Sequence, residues 1–136
     1  MSLVAVNPTG ASWPGVSMAV LDAERGILVS TGHVGTGADG EPVTSSVEAQ
    51  VVALFENLKQ TLGCAGLGFE HVARMTSYIK SYDPEFMAAF RAVRLRYFDP
   101  ARPPASVMVQ AGLYDDRLWV EAEVIAVAPQ TQGQHP

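Results

Sequence analysis

The chain has 136 residues, of which 48% are hydrophobic and 17% are charged. This length and composition fit one globular domain over residues 1–136 and exclude a fibrous or disordered chain. The formal net charge of −5 argues against nucleic acid and acidic membranes as partners, because sequence-independent binding to them depends on clustered Lys and Arg. No apolar run approaches the ~20 residues that span a bilayer, and the first ten residues lack the features of a signal peptide. We therefore expect a soluble, cytoplasmic protein.

The cysteine, histidine and glycine content gives no sign of a bound metal or cofactor. Cys64 is the only cysteine, so no internal disulfide can form, and the three histidines are too scattered for a structural zinc site. The glycine-containing stretch GHVGTGADG does not match a dinucleotide-binding or Walker pattern. We expect no metal and no other cofactor.

The first half of the chain predicts a hairpin followed by a helix. The stretches SMAVLDA and ILVSTG are typical of two short strands, and the turn between them lies at Glu24–Gly26. The glycines of HVGTGADGEP indicate a loop. The sequence Ser45–Glu48 then matches a capping box, and apolar residues at helical spacing extend the predicted helix to about Gly63.

The second half predicts a strand, a helix and two further strands. Alternation over Glu70–Lys80 indicates the first of these strands. The sequence Asp83–Glu85 supplies an N-cap, a proline at the first helical position and an acid in the first turn of a second helix. That helix is predicted to end before Asp99-Pro100. The last two strands are predicted over Ala105–Ala111 and Leu118–Val127.

The order β-β-α-β-α-β-β predicts an α+β sheet with two helices on one face. Two helices of ~10 Å diameter cannot cover both faces of four to five strands spaced ~4.8 Å apart. Alternation along the last strand places Trp119, Glu121, Glu123, Ile125 and Val127 on one side. An apolar face left uncovered favours self-association, and a buried carboxylate without a partner is costly. We therefore predict a homo-oligomer with the glutamates near its subunit interface.

Several short sequence blocks resemble the landmarks of a known family and occur in the family's order. They are Gly15–Val20, Ser30–His33, Val47–Gln50, Asn57–Lys59, Tyr97-Phe98, Pro104–Ser106 and Val120–Val127. With these blocks the chain resembles the RidA/YjgF family over about residues 14–128. We expect the remaining tail, residues 129–136, to be disordered.

The resemblance implies a chorismate-mutase-like fold, a homotrimer and small-molecule clefts between subunits. It also implies hydrolysis of reactive imines and enamines, such as 2-aminoacrylate, to a 2-keto acid and ammonia. This chemistry needs a cation for the substrate carboxylate and an acid/base for water and protons. By the resemblance, Glu123 is the catalytic glutamate, and Thr31 and Gly32 hydrogen-bond the ligand.

Three positions depart from the family pattern and place the chain with arginine-lacking members. Ala105 stands where arginine-bearing members carry the carboxylate clamp, Val107 where many carry cysteine, and Val16 in place of a tyrosine. Loss of a charge-assisted clamp worth ~1.5–3 kcal/mol weakens carboxylate binding by an order of magnitude or more. Arg102, three residues before Ala105, is one candidate to replace it.

Each remaining site candidate has an alternative interpretation. His33 could be a general base or ligand donor, or simply a histidine of a surface loop. Tyr114 and Trp119 could line a ligand pocket or pack in a subunit interface. Glu123 could be a solvated carboxylate, and Glu121 could be structural or paired with an arginine.

Three functional hypotheses follow. The first is a trimeric deaminase of small imines or enamines. The second is a non-catalytic trimeric protein that binds or responds to a small ligand, which Ala105 favours. The third is an endoribonuclease, an activity with which family members have been labelled, and the acidic charge makes it the weakest of the three.

Overall fold

A computed structural model describes residues 2–10 and 13–130. In chain order its elements are β1 Leu3–Val6, β2 Ala19–Asp22, β3 Ile27–Ser30, β4 His33–Val34, α1 Val47–Cys64, β5 Val72–Ile79, α2 Pro84–Tyr97, β6 Ala105–Gln110 and β7 Val120–Val127. A short 3-10 helix, Phe69–His71, precedes β5. Neither helix in this described part is long and apolar enough to cross a membrane. Most of the tail predicted to be disordered, residues 131–136, lies outside the described residues.

All the strands join one sheet, in the order β1-β2-β3-β7-β5-β6, with β4 also pairing with β7. Neighbouring strands are antiparallel except β5 and β6, which are parallel. The α+β class and the two helices on one face are confirmed, whereas β1 and β4 were not predicted. β6 and β7 follow each other in the chain but are not neighbours, because β5 lies between them.

Side chains cap the N-termini of both helices. α1 begins after Ser46, whose hydroxyl accepts the N–H of Ala49 at 3.0 Å. The N-cap therefore lies one residue later than the predicted capping box, and Glu48 forms an ion pair with Arg96 of α2 instead. α2 begins after Asp83, whose carboxylate accepts the N–H of Phe86 at 3.0 Å, as its sequence predicted.

The hydrophobic core lies between the helices and one face of the sheet. Phe55 is central to it, and its ring stacks on that of Tyr97 with centroids 4.8 Å apart. The fully buried partners from the helices and from β7 are Val51, Leu54, Leu58, Phe90, Val93, Val120, Ala122 and Ala126. Burial of this apolar surface fixes which face of β7 turns inward.

No element of residues 2–10 and 13–130 covers the opposite face of the sheet. On β7, Ile125 and Val127 remain 39% and 45% exposed, and Glu121 and Glu123 are half-buried. We call this surface the open face. Its central members, by alternation and strand register, are Ile27, Val29, Arg74, Thr76, Tyr78, Ala105, Val107, Val109, Glu121, Glu123, Ile125 and Val127. The predicted grouping of the two glutamates with Ile125 and Val127 is confirmed.

Candidate functional site

Glu123 is held by a tyrosine from the neighbouring strand. Thr76 and Tyr78 of β5 lie opposite Glu123 and Glu121, respectively. The hydroxyl of Tyr78 donates a hydrogen bond to Glu123 Oε1 at 2.7 Å. This hydrogen bond and the carboxylate charge raise the pKa of Tyr78. The phenol therefore stays protonated and fixes the position of the Glu123 carboxylate.

Glu121 lies against the backbone of Gly32. A Cβ atom at Gly32 would overlap Glu121 Oε2, so the carboxylate occupies space that only glycine leaves open. Burial, followed by the charge of Glu123, raises the pKa of Glu121. Among residues 2–10 and 13–130, no arginine forms a salt bridge with Glu121, contrary to one of the sequence interpretations.

The two carboxylates are thus chemically different although they share one strand face. Glu123 is an oriented hydrogen-bond acceptor, whereas burial raises the pKa of Glu121. Two acids held in different environments on one strand face are suited to acid/base chemistry. Because neither forms a salt bridge with a cation within the described part of the chain, both are open to a ligand or to another subunit.

The segment Thr31–Gly32, whose glycine lies against Glu121, is held in place by hydrogen bonds. The N–H of Thr31 donates to the carbonyl of Met18 at 2.8 Å. The hydroxyl of Ser30 donates to the carbonyl of Thr31 and accepts the N–H of Val124, both at 2.9 Å. The structure therefore brings the predicted ligand-binding pair together with Glu121 on β7.

His33 does not lie in a surface loop, and that part of the interpretation is wrong. It belongs to β4, opposite Ala122, and only 2% of it is exposed. Nδ1 lies 2.9 Å from the carbonyl of Thr31, and Nε2 lies 2.7 Å from the hydroxyl of Thr61 in α1. Since a carbonyl can only accept, Nδ1 carries the proton and Nε2 accepts from Thr61. Burial lowers the pKa of His33, and the ring faces the helices, away from Glu123.

The candidates around β6 divide between the two sides of the sheet. Ala105 and Val107 lie on the open face, opposite Arg74 and Thr76 of β5. Arg102 instead lines a cavity of about 510 Å³ near the C-terminal ends of both helices, with residues that include Lys59, Gly63, Tyr97 and Phe98. The structure therefore places Val107 in register with Thr76 and Glu123, places Ala105 in register with Arg74 and Ile125, and does not bring Arg102 to Glu123.

Val16 and Tyr114 meet at an exposed aromatic side chain, Trp13. The N–H of Val16 donates to the carbonyl of Trp13 at 3.0 Å. The rings of Trp13 and Tyr114 lie edge to face, with centroids 6.1 Å apart. Burial raises the pKa of Tyr114, as do nearby charges that include Glu121. Tyr114 thus lies within electrostatic reach of Glu121, whereas Trp119 packs partly against the core.

The sequence did not point to Tyr78 or to the side-chain amides of Gln50 and Asn57 as parts of the site. Buried Gln50 donates to the carbonyls of Val43 and Arg117 at 2.9 and 3.0 Å, and its carbonyl accepts the N–H of Trp119 at 2.7 Å. Asn57 donates to the carbonyls of Val34 in β4 and of Thr36 just after it. Gln50 and Asn57 both belong to the sequence blocks that resemble the family. The apolar spacing that predicts α1 does not show that their side chains hold β4 and the start of β7 in place.

The fold and the paired glutamates define a class of small α+β proteins with an acidic site on an uncovered sheet face. Residues 16–128 match the sequence pattern of the family described as Endoribonuclease L-PSP. A RutC family protein of Synechocystis is 32% identical over 111 residues, which are 79% of this chain and 82% of that protein. The chain therefore belongs to the RidA/YjgF family, whose pattern carries the L-PSP description.

Solved structures show the same fold. A Mycobacterium tuberculosis member of the YjgF/YER057c/UK114 family is 26% identical, with a TM-score of 0.75 over 93% of this chain and 100% of that chain. The Rid-family protein YyfA from Yersinia pestis has a TM-score of 0.81 at 22% identity, over 93% of this chain and 99% of that chain. Within residues 2–10 and 13–130, no cluster of three or more His, Cys, Asp or Glu side chains is placed to hold a metal ion.

Proposed function

We propose that this protein is a trimeric hydrolase that converts small imines and enamines to carbonyl compounds and ammonia at clefts between its subunits. The observation that carries the proposal is the pair of carboxylates in different environments, Glu121 and Glu123, on a sheet face that the described part of the chain leaves uncovered. Family membership supports a Rid-like function of this kind.

The open face supports the assembly part of the proposal. Ile27, Val29, Val109, Ile125 and Val127 are each between 39% and 47% exposed on one sheet surface. Contiguous apolar patches of this kind on small proteins are typical of interaction sites. A second copy that covers this face would remove the apolar side chains from water and enclose the glutamates in a cleft.

The chemistry follows from the different environments of the two acids. Glu123, fixed by Tyr78, orients a water and accepts one of its protons as the oxygen adds to the imine carbon. Glu121 donates a proton to the nitrogen, which gives a carbinolamine. Glu123 then gives its proton to the nitrogen while Glu121 takes the hydroxyl proton, so the C–N bond breaks, ammonia leaves, the carbonyl forms and both acids return to their starting states. For an enamine, protonation at carbon first gives the imine. Gly32, which lies against Glu121, and Thr31, the residue before it, hydrogen-bond the substrate.

A second candidate is a non-catalytic trimer that binds a small ligand at the same place. Ala105 favours it, since this open-face position offers no charge to a substrate. An endoribonuclease is disfavoured, because two carboxylates on the proposed site face and a net charge of −5 repel a phosphate backbone.

Ammonia release from freshly generated 2-aminoacrylate tests the proposal. Glu123→Gln keeps the shape of the side chain but removes its charge, so we expect a rate loss of about a hundredfold or more. Glu24→Gln, at an exposed turn position, makes the same chemical change and serves as the matched control. Unchanged turnover in Glu123→Gln would reject the role of Glu123.

The same assay separates the other candidates. No acceleration by the wild-type protein, together with tight binding of a small acid in calorimetry, would replace the hydrolase with the binder. Ribonuclease activity that persists in Glu123→Gln and through further purification would instead support a nucleic-acid function located elsewhere on the chain.

A further inference from the structure

A β-bulge turns Arg74 onto the open face. Val72 pairs with Ala126 of β7, but Arg74 pairs with Ile125, so Ala73 is an extra residue without a partner. In an unbroken strand Arg74 would share the helix side with Val72, two residues earlier. The bulge reverses this alternation, so that Arg74 is exposed and Met75 is buried. Bulges occur often beside active sites, where they redirect a side chain.

Arg74 has no acidic partner within residues 2–10 and 13–130. It forms no salt bridge in this part of the chain. Its cross-strand neighbours are Ile125 on one side and Ala105 on the other. The short side chain of Ala105 leaves the space beside the guanidinium free, so this arginine has apolar neighbours and no counter-charge.

Coverage of the open face would make an unpaired Arg74 unfavourable. A charge removed from water needs a partner of opposite charge or hydrogen bonds to all its donors. Glu123 is the diagonal cross-strand neighbour of Arg74, and such neighbours are about 7–8 Å apart. Its carboxylate accepts from Tyr78 instead. A small anion between Arg74 and Glu123 would satisfy the guanidinium in the two-pronged geometry that suits a carboxylate.

We propose that Arg74, on the strand beside position 105, binds the carboxylate of the substrate. This inference rests on the proposed function, since it assigns the ligand of the same site. Arg74 on β5 and the acids on β7 hold opposite ends of the ligand, and Ala105 provides the space between strands. The charge that position 105 lacks is therefore supplied from the adjacent strand.

Calorimetric binding of pyruvate and its neutral analogue pyruvamide tests the inference on the full chain. Arg74→Gln is expected to weaken pyruvate binding by about ten- to a hundredfold and to leave pyruvamide binding unchanged. Arg74→Lys keeps the charge but not the two-pronged guanidinium geometry. Its affinity for pyruvate should therefore lie between those of wild type and Arg74→Gln. Arg91→Gln, at an exposed position of α2, makes the same charge change and should bind like wild type.

The outcomes separate this inference from the proposed function. The role of Arg74 as the carboxylate anchor is overturned by either of two results. One is wild-type protein that does not prefer pyruvate to pyruvamide, and the other is Arg74→Gln protein that binds pyruvate as tightly as wild type. A loss of assembled mass in Arg74→Gln and Arg74→Lys without a change in pyruvate affinity also overturns it, because Arg74 would then pair with an acid between copies. If Arg74 governs pyruvate binding but no ammonia is released from 2-aminoacrylate, the anchor stands and the hydrolase fails. Ammonia release that Arg74→Gln does not slow retains the hydrolase and rejects the anchor.

Discussion

At the scale of single residues, two glutamates of the same strand face acquire different chemistry from distant partners. Alternation in the sequence predicted that Glu121 and Glu123 share a face, and the burial pattern confirms it. The sequence could not distinguish them, because their partners come from other strands. Tyr78 is 45 positions from Glu123, and Gly32 lies in the segment after β3. Only the strand register brings these groups together.

Replacement of Gly32 by alanine should expose Glu121 to solvent. The new Cβ would overlap the end of the Glu121 side chain, which is flexible and can move outward at a cost of less than about 2 kcal/mol. Since burial is the main cause of the raised pKa of Glu121, its pKa should fall towards the ordinary value. Carboxyl-carbon NMR titration measures this shift directly, and ammonia release should fall with it.

The matched control for this substitution is Gly63→Ala in the last turn of α1. A Cβ there meets no atom within 4 Å, and alanine favours a helix over glycine by about 0.5–1 kcal/mol. It should leave the Glu121 titration as in wild type. An unchanged pKa of Glu121 in Gly32→Ala would show that the contact with Gly32 does not keep the Glu121 carboxylate buried.

At the scale of elements, local patterns predicted those parts of the fold that local interactions form. Both helices carry an apolar stripe and a capping side chain, and β7 alternates strictly, so all three were predicted. β1 and β4 have only four and two residues, and pairing with other strands defines them. The parallel pairing of β5 with β6 and the bulge before Arg74 likewise depend on partners far away in sequence.

The buried histidine that links β4 to α1 predicts a pH dependence of stability. Burial lowers the folded-state pKa of His33 below its ordinary value of 6.5, so the unfolded chain binds the proton more readily. The contribution of neutral His33 to the free energy of unfolding is therefore fully present above pH 6.5 and is lost as the pH falls through the folded-state pKa. One proton changes the unfolding free energy by at most about 1.4 kcal/mol per pH unit.

Denaturant unfolding at fixed protein concentration between pH 7 and pH 5 measures this dependence. His33→Gln should have a shallower slope than wild type over this range, because it has no group at this position to protonate. His71→Gln is the control for the loss of an imidazole, since His71 is only partly buried and takes no part in the contact between β4 and α1. Equal slopes in wild type and His33→Gln would contradict the assignment.

At the scale of the whole molecule, residues 2–10 and 13–130 cover only one side of the sheet. The helices bury one face, and exposed apolar residues of three strands remain on the other, namely Ile27, Val29, Val109, Ile125 and Val127. The sequence predicted this imbalance from a count of elements, because two helices cannot cover two faces. The number of copies and the contacts between them lie outside that argument, since one chain's pattern does not specify its symmetry.

A charge at the centre of the open face should prevent assembly. We expect wild-type protein to sediment with the mass of three chains at micromolar concentration. Ile125→Lys places an ammonium group beside Val29, and removal of that charge from water in an interface costs several kcal/mol. The variant should therefore sediment as a single folded chain.

Leu95→Lys is the matched control, because Leu95 is 63% exposed on α2, on the other side of the sheet. It should assemble like wild type. Wild-type protein with the mass of one chain, or an Ile125→Lys variant that still assembles, would show that the glutamates do not lie in a shared cleft.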